Sequence, residues 1–206
     1  MMKKALMFMQ KLIFSKIGSQ VKPGSFKKFM DVVFVFFEKI AFSFDDVSRF
    51  YIEVYEEMVD NELNLLSNYQ FNTILVVGSG SIPATPILIA EKTNAQVVCI
   101  DIDKQAIRKS KLLIKKLHLN TRISVETGDG VHFSFNDYDA IFILYGMKSQ
   151  KAIIEYLAQS LPQKLPVILR VVPKNDYALI DNNPFDLSTL FKVKNKIASS
   201  IFPKFI

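Results

Sequence analysis

The stretch ILVVGSGSIPATP, residues 74–86, decides the fold of this chain. A run of apolar, β-favouring residues stops abruptly at a Gly-x-Gly turn, and a helix-compatible segment with proline near its start follows. Glycine lets the backbone turn sharply and approach a ligand closely, and the next helix offers free N–H groups to that ligand. The stretch therefore predicts a strand, a ligand-binding loop and a helix, in that order.

Two acidic residues extend this pattern toward a nucleotide site. The apolar run 97–100 ends at Asp101, near the spacing of about 20 residues expected of a nucleotide-binding βαβ unit, although Pro83 replaces the third glycine of the usual fingerprint. Asp101 is placed to accept hydrogen bonds from ribose hydroxyls. Asp129, in the turn TGDG at 127–130, is placed to meet an adenine amino group. Alone, Asp129 would be an ordinary Asp-Gly turn residue; together with the other two features it favours a nucleotide site.

From residue 72 onward, apolar runs alternate with amphipathic segments. Strands are predicted at 73–77, 96–101, 122–126, 139–144 and 166–172, and helices at 84–92, 104–117 and 148–161. This alternation predicts an α/β, Rossmann-like fold with a mostly parallel sheet and helices on both faces. The segment 191–194 suits a late, partly exposed strand.

The first part of the chain, residues 1–68, is predicted to be helical. One helix covers residues 2–13, a Phe-rich second helix covers 26–42, and a third begins at the capping pair Ser43 and Asp46 and runs to about Leu66. The inward stripe of the third helix carries Val47, Tyr51, Tyr55, Met58 and Glu62. We therefore expect an N-terminal helical segment, 1–68, acting as a lid or substrate segment, before a Rossmann-like domain at 69–206.

Composition limits where the chain works and what it contacts. No run reaches the roughly 18 apolar residues of a membrane span, and no cleavable signal peptide is recognisable. The one cysteine, Cys99, lies in a predicted buried strand and fits a cytoplasmic location. The net charge is +6, and residues 1–30 contain lysines and no acids. Such a basic first helix could be solvated, lie on a membrane surface, bind nucleic acid or cover the active site, and the Phe-rich helix could bury against a second copy.

Several catalytic classes are excluded by absent motifs. No Gly-Lys-Ser/Thr follows the first glycine, so a kinase-type phosphate loop is excluded. No Cys/His cluster predicts a metal site, and no Ser-His-Asp arrangement appears.

The glycine loop, Asp101 and Asp129 together resemble the S-adenosylmethionine-dependent methyltransferase superfamily, over about residues 72–172. The resemblance implies S-adenosylmethionine as co-substrate, without a metal. The residues implied to bind it are Gly78, Ser79, Gly80, Asp101, Ile102, Asp129 and Gly130. That superfamily usually has an acid two residues before the first glycine, where this chain has Val76, so the methionine moiety must be held differently.

A narrower resemblance concerns the loop GSGSIPAT, residues 78–85, which is similar to the G-[SG]-G-x-[IL]-P-x-T loop of nicotianamine synthases. Those enzymes move the aminocarboxypropyl group of S-adenosylmethionine rather than its methyl group. Tyr55 and Glu62 resemble a tyrosine and a glutamate on the helix before that family's loop, and Arg170 ends the fifth strand where the family also has an arginine. The resemblance implies aminocarboxypropyl transfer to an amine of a small, amino-acid-like acceptor.

This chemistry assigns roles to five side chains. Attack on the sulfonium carbon needs a neutral amine, and Glu62 is the candidate base because burial on an apolar stripe disfavours the charged carboxylate. Tyr51 and Tyr55 are candidate catalytic neighbours whose rings can stabilise a cation. Arg170 and Tyr145 are candidate substrate contacts, Arg170 through its planar fork. The alternatives are an exposed Glu62, core tyrosines and an Arg170 paired with a structural acid.

Two other functions stay open at this level. One is a methyltransferase of the same fold that acts on a small molecule or RNA. The other is a non-catalytic binding module that uses its basic helix to bind membrane or nucleic acid.

Overall fold

The computed structural model describes residues 45–145, 147, 149–161, 165–174, 177–180 and 183–194. The predicted helices at 2–13 and 26–42, and Ser43 of the predicted capping pair, lie outside this description. The elements are α1 (Asp45–Val54), α2 (Glu56–Leu65), β1 (Thr73–Val77), α3 (Ala84–Lys92), β2 (Gln96–Asp101), α4 (Lys104–Lys116), β3 (Ile123–Thr127), β4 (Ala140–Ile143), α5 (Gln150–Ser160), β5 (Val167–Leu169), β6 (Val172–Lys174), β7 (Tyr177–Ile180), β8 (Asn183–Phe185) and a short 3₁₀ helix (Leu187–Thr189).

Five parallel strands form the main sheet in the order β3-β2-β1-β4-β5. The register aligns Val76 of β1 with Cys99 on one side and with Phe142 on the other. β1 and β4 lie in the middle of this sheet, and their residues 74–77 and 140–143 are all buried. Continuous burial on both faces is the reason for their unbroken apolar sequence. The predicted parallel α/β architecture is confirmed.

Helices cover both faces of this sheet. Ile74 and Val76 belong to a core that includes residues of α3 and α4, whereas Leu75 and Val77 belong to a second core with Ile153 of α5. Successive residues of a strand point to opposite faces, so the alternation along β1 separates the two cores. Because the five strands are parallel, their carboxyl ends meet at the same edge of the sheet, where the glycine loop follows β1. The helices α3 and α5 flank this edge.

The N-terminal helices α1 and α2 pack against α3. Arg49 forms an ion pair with Glu91 at 3.2 Å, and Lys92 contacts both Glu56 at 3.0 Å and Asp60 at 2.8 Å. The apolar residues that α1, α2 and the following turn add to the first core are Ile52, Val59 and Leu66. These contacts explain why α3 is buried along almost its whole length, from residue 84 to 90.

The third predicted helix is interrupted at Tyr55, which separates α1 from α2. The Tyr55 backbone N–H donates to the carbonyl of Ile52 at 3.0 Å, an i to i−3 bond that tightens the turn. Glu56 and Glu57 then occupy the first turn of α2, where acidic side chains favour a helix start.

The C-terminal part differs from the prediction in two places. The strand predicted at 166–172 ends at Leu169, and three later strands form a separate antiparallel sheet in the order β6-β7-β8. Just beyond the end of the parallel ladder, the side-chain amide of Gln150 donates to the carbonyl of Arg170 at 2.9 Å. The strand predicted at 191–194 is wrong, since these residues have no ladder partner in the described structure.

No helix among the described residues combines the length and the apolar character that crossing a membrane requires.

Candidate functional site

The glycine loop leaves the carboxyl end of β1 in a conformation that its glycines permit. Gly78 has φ +81° and Gly80 has φ +68°, both in the left-handed region that side chains disfavour. The Gly78 N–H donates to the carbonyl of Ile100 at 2.9 Å, which ties the start of the loop to β2. A Cβ atom on Gly78 would lie 2.4 Å from Sδ of Met147, so the side chain of Met147 closes over the loop.

Pro83 sets the geometry with which the loop enters α3. It has φ −79° and ψ 63°, and the N–H of Ala84 donates to the carbonyl of Ile82 at 2.8 Å. These values define an inverse γ-turn, which the fixed φ of proline favours. Residues 81–90 are all buried, and the Ser79 hydroxyl in the loop is buried without a hydrogen-bond partner among the described residues. Pro83 is therefore a structural part of this loop and the reason that a third glycine is not needed.

Asp101 links the end of β2 to the glycine loop. Its Oδ2 accepts from the Gly80 N–H at 2.8 Å, and its Oδ1 accepts from the Asp103 N–H at 2.9 Å. Ile102, next in the chain, is 66% exposed. Asp101 thus holds the loop in addition to any contact with a ligand, a role that the sequence did not predict. The exposed Ile102 offers an apolar surface beside it.

Asp129 and Gly130 form the turn after β3. Asp129 Oδ1 accepts from the Val131 N–H at 3.0 Å. Nδ1 of His132 lies 3.5 Å from Oδ2 of the same exposed carboxylate. A Cβ atom on Gly130 would lie 3.0 Å from Val77 and 3.1 Å from Ile153, so a side chain here would require these neighbours to shift by a few tenths of an ångström. The turn is packed directly against β1, at the edge where the glycine loop begins.

Glu62 and Arg170 form a buried, bidentate ion pair. Arg170 Nε lies 2.7 Å from Glu62 Oε1, and Nη2 lies 2.7 Å from Oε2. The Arg170 backbone N–H donates to the carbonyl of Ile143 at 3.0 Å, which places the residue directly after β5 at the same sheet edge. Planar guanidinium and carboxylate groups match in this geometry, and each charge is balanced by the other. The sequence predicted a function for both residues but not their contact, and Glu62 is buried rather than exposed.

Two tyrosines extend the ion pair into a cluster. The guanidinium carbon of Arg170 lies 5.8 Å from the centre of the Tyr55 ring, and the hydroxyl groups of Tyr51 and Tyr55 are 3.1 Å apart. Burial raises the pKa of Tyr55, which the hydrogen bond with Tyr51 and the charge of Arg170 partly offset. Tyr55 is therefore a neutral hydrogen-bonding group beside a cation. The structure brings together four predicted residues: Tyr51, Tyr55, Glu62 and Arg170.

Gln150 supports this cluster from behind. Its buried side-chain amide donates to the carbonyl of Arg170 at 2.9 Å and more weakly to that of Leu144 at 3.4 Å, bridging the ends of β5 and β4. Tyr145, the remaining predicted substrate contact, is half-buried directly after β4 in the same region. The sequence analysis did not single out Gln150. Its only signal is a polar residue at the start of α5, which many exposed helix ends share.

The described residues contain no group of three His, Cys, Asp or Glu side chains that could hold a metal ion. His118, which the sequence places near a helix end, has φ +57° just after α4 and lies away from the cluster.

Comparison with known families identifies the chain. The model of the family described as "Nicotianamine synthase protein" matches residues 38–197 of the 206. The chain belongs to the nicotianamine synthase family. The match includes the glycine loop, Glu62 and Arg170, so the predicted family resemblance is confirmed.

Curated relatives of this nicotianamine synthase family member are similar over a limited region. It is 24% identical over 98 residues to an L-histidine 2-aminobutanoyltransferase of Pseudomonas aeruginosa, covering 47% of this chain and 37% of the relative. It is 27% identical over 73 residues to the protein of that name from Yersinia pestis, covering 35% of this chain and 28% of the relative. The match thus spans well under half the length of these relatives.

Solved structures agree on the fold of this family member. A mutant of MtNAS in complex with S-adenosylmethionine superposes with a TM-score of 0.66 and 16% identity, covering 84% of this chain and 72% of that chain. MtNAS in complex with MTA and tNA gives a TM-score of 0.58 and 19% identity, covering 69% and 53%. An RNA methyltransferase from Salinibacter ruber gives a TM-score of 0.50 and 19% identity, covering 56% and 75%. The methyltransferase-type fold is therefore confirmed.

Proposed function

We propose that this protein transfers the aminocarboxypropyl group of S-adenosylmethionine to the amine of a small, amino-acid-like acceptor. The observation that carries the proposal is the placement of Glu62, Arg170 and Tyr55 at the sheet edge where the glycine loop begins, within one family match. Relatives described as L-histidine 2-aminobutanoyltransferases support this choice of reaction.

S-adenosylmethionine fits the loop side of the site. Asp101 and Asp129 present carboxylates for ribose hydroxyls and an adenine amino group, and the exposed Ile102 gives an apolar surface for the base. The buried, unpartnered hydroxyl of Ser79 and the N–H groups that precede α3 supply further hydrogen-bonding capacity. The remaining proposed contacts are the backbone positions of Gly78, Gly80 and Gly130.

The ion pair gives a route by which an acceptor can bind. A zwitterionic amino acid inserted between Arg170 and Glu62 would place its carboxylate on the guanidinium and its ammonium on the Glu62 carboxylate. After this exchange every buried charge still has a partner. A lone amine or a lone acid would instead leave one buried charge without a partner. Tyr145 is proposed to contact the same acceptor, and the ring of Tyr55 stabilises positive charge near Arg170.

In the proposed reaction, Glu62 accepts a proton from the acceptor ammonium and leaves a neutral amine. The amine nitrogen forms a bond to the carbon of the aminocarboxypropyl group that is attached to the sulfonium sulfur. The bond between this carbon and sulfur breaks. The bonding electrons go to sulfur, so that neutral methylthioadenosine leaves. Tyr51 and Tyr55 keep the base and the cation in position through the hydroxyl contact at 3.1 Å. The helical segment 1–68 is proposed to cover and shape the acceptor site.

The nucleoside product tests this proposal. The full chain is incubated with S-adenosylmethionine and a panel of amino acids that includes histidine, and the products are separated by chromatography and identified by mass. Methylthioadenosine is expected. S-adenosylhomocysteine would replace the proposal with methyl transfer to a small molecule or RNA, and absence of calorimetric binding of S-adenosylmethionine would leave only a non-catalytic module.

A substitution at the proposed base sharpens the assay. Glu62→Gln keeps an acceptor for Arg170 but cannot take the proton, so kcat is expected to fall by about 100-fold or more while S-adenosylmethionine still binds. Glu57→Gln, an exposed glutamate on the same helix, is the matched control and should retain activity. Equal activity of the two variants would remove Glu62 from the mechanism.

We also propose a cytoplasmic location, because the reaction uses free metabolites and Cys99 is a buried free thiol. Contact of the basic segment 1–30 with a membrane surface and self-association through the Phe-rich segment 26–42 are secondary proposals that rest on sequence alone.

A further inference from the structure

The outer face of α4 carries a concentration of positive charge. Its basic residues are Lys104, Arg108, Lys109, Lys111, Lys115 and Lys116, and the helix contains no acidic residue. Lys104, Arg108, Lys111 and Lys115 recur at i, i+4, i+7 and i+11, so they fall within an arc of about 60° on one side of the helix. They are all exposed.

An apolar side chain lies at the centre of this exposed face. The residues that α4 buries against the sheet are Ala106, Ile107, Ser110, Leu113 and Ile114. At about 100° per residue, Leu112 points almost directly away from that buried arc. It is 58% exposed, with the stripe of four basic residues on one side and Lys109 and Lys116 on the other. The face is thus a leucine enclosed by cations.

Five of the six basic residues of α4 have no salt-bridge partner among the described residues. Arg49, Lys92 and Lys151 on other helices all form ion pairs with glutamates or an aspartate. Among the described residues, Lys104, Arg108, Lys109, Lys111 and Lys115 form no salt bridge. Asp103, the N-cap of α4, uses its Oδ1 to accept from the Gln105 N–H. α4 packs on β2 and on β3, the edge strand of the sheet, and Leu112 and the four stripe residues on its outer face are exposed.

We propose that this face of α4 docks on an anionic lipid membrane surface. Basic side chains near such a surface each add to binding, and an exposed leucine among them can enter the boundary between head groups and acyl chains. The helix is about 20 Å long, so its exposed face can lie along a flat surface over several turns. Nucleic acid explains the face less well, because α4 has no aromatic side chain for stacking on bases and a central leucine adds nothing to phosphate contacts. The proposal does not depend on the transferase activity.

Vesicle sedimentation of the full chain tests this proposal. Binding is expected to vesicles of phosphatidylcholine with about 30% phosphatidylserine and not to pure phosphatidylcholine, and it should be lost near 0.5 M salt because screening shortens the range of the charges. The double variant Lys111→Gln, Lys115→Gln should weaken partitioning into the anionic vesicles by about 25-fold, because each lysine contributes a factor of about five. Lys151→Gln, whose charge Glu155 already balances, is the matched control and should change partitioning by less than about twofold.

Leu112 separates the membrane from other polyanions. Leu112→Gln should weaken binding to the anionic vesicles several-fold and leave binding to a single-stranded RNA oligonucleotide unchanged. Thermal melting and transferase activity without vesicles should stay at the wild-type level in these variants, since the changed side chains are exposed and distant from Glu62 and Arg170. Unchanged vesicle binding in the double lysine variant would overturn the proposal. The protein would be assigned to nucleic acid binding through this face if it bound RNA but not vesicles. In that case the lysine changes should weaken RNA binding and the Leu112 change should not.

Discussion

Arg170 and Glu62 are joined through two contacts of 2.7 Å although 108 positions separate them in the chain. Their side chains are only 9% and 5% exposed. The pair connects the end of β5 to α2, so it fastens the N-terminal helices to the sheet edge at the proposed acceptor site. A buried pair of this kind is costly to break because the remaining charge has no partner.

Removal of either partner should therefore destabilise the fold strongly. Arg170→Leu and Glu62→Leu are each expected to lower the free energy of unfolding by about 3–5 kcal/mol, because one buried charge is left uncompensated. The double variant Glu62→Leu with Arg170→Leu should lose clearly less than the sum of the single losses. Urea denaturation measures all three values, and strictly additive losses would show that the two residues do not interact in solution.

Asp101→Ala should weaken the binding of S-adenosylmethionine by about tenfold or more, from the loss of charge-assisted hydrogen bonds. The Gly80 N–H also loses its acceptor, at 2.8 Å in the native protein, so the loop should become less ordered. Calorimetry measures the affinity, and amide exchange at Gly80 measures the loop.

Asp101→Asn is the informative companion of this variant. It keeps an oxygen that can accept from Gly80 but removes the charge, so it should retain protection of the Gly80 amide while still losing affinity. Full affinity in both variants would show that the nucleoside binds elsewhere.

The sequence predicted the parallel sheet because β1 and β4 are apolar runs whose residues 74–77 and 140–143 are buried without interruption, and β2 is an apolar run buried at Val97, Cys99 and Ile100. It could not predict the break at Tyr55 or the early end of β5, since both depend on contacts made after folding. At the end of β5 the carbonyl of Arg170 accepts from the side-chain amide of Gln150, which lies 20 positions earlier in the chain. Glu62 and Arg170 were each expected at the site through the family resemblance, but a pairing over 108 positions has no local signal.

Gly78→Ala should be destabilising through the backbone. At φ +81° a residue with a side chain is strained, and the cost is about 1–2 kcal/mol. The new Cβ would also meet Sδ of Met147 at 2.4 Å, although this flexible side chain can move. We expect a loss of stability in chemical denaturation together with weaker S-adenosylmethionine binding.

A second variant separates these two causes at Gly78. Adding Met147→Ala to Gly78→Ala removes the steric contact and leaves the backbone strain. The double variant should therefore recover little stability. Full recovery would mean that the contact with Met147, and not the positive φ, requires glycine at this position.

Cys99 should be unreactive in the native protein. Burial in β2 raises the pKa of its thiol above the ordinary value of 9.0, so the reactive thiolate is not formed near neutral pH. A chromogenic disulfide reagent should label one thiol per chain in urea and none in native buffer.

The raised pKa of the Cys99 thiol also has a consequence for stability. Because the pKa of the Cys99 thiol is raised in the folded protein, burial of the neutral thiol adds stability that is fully present below pH 9.0. This stability is lost as the pH rises, because the thiol then releases its proton in the unfolded chain but keeps it in the folded chain. Wild type should thus lose more stability above pH 9.0 than Cys99→Ala, as measured by denaturation across the alkaline range. Parallel curves for the two proteins, or rapid labelling of the native chain, would contradict a buried thiol in β2.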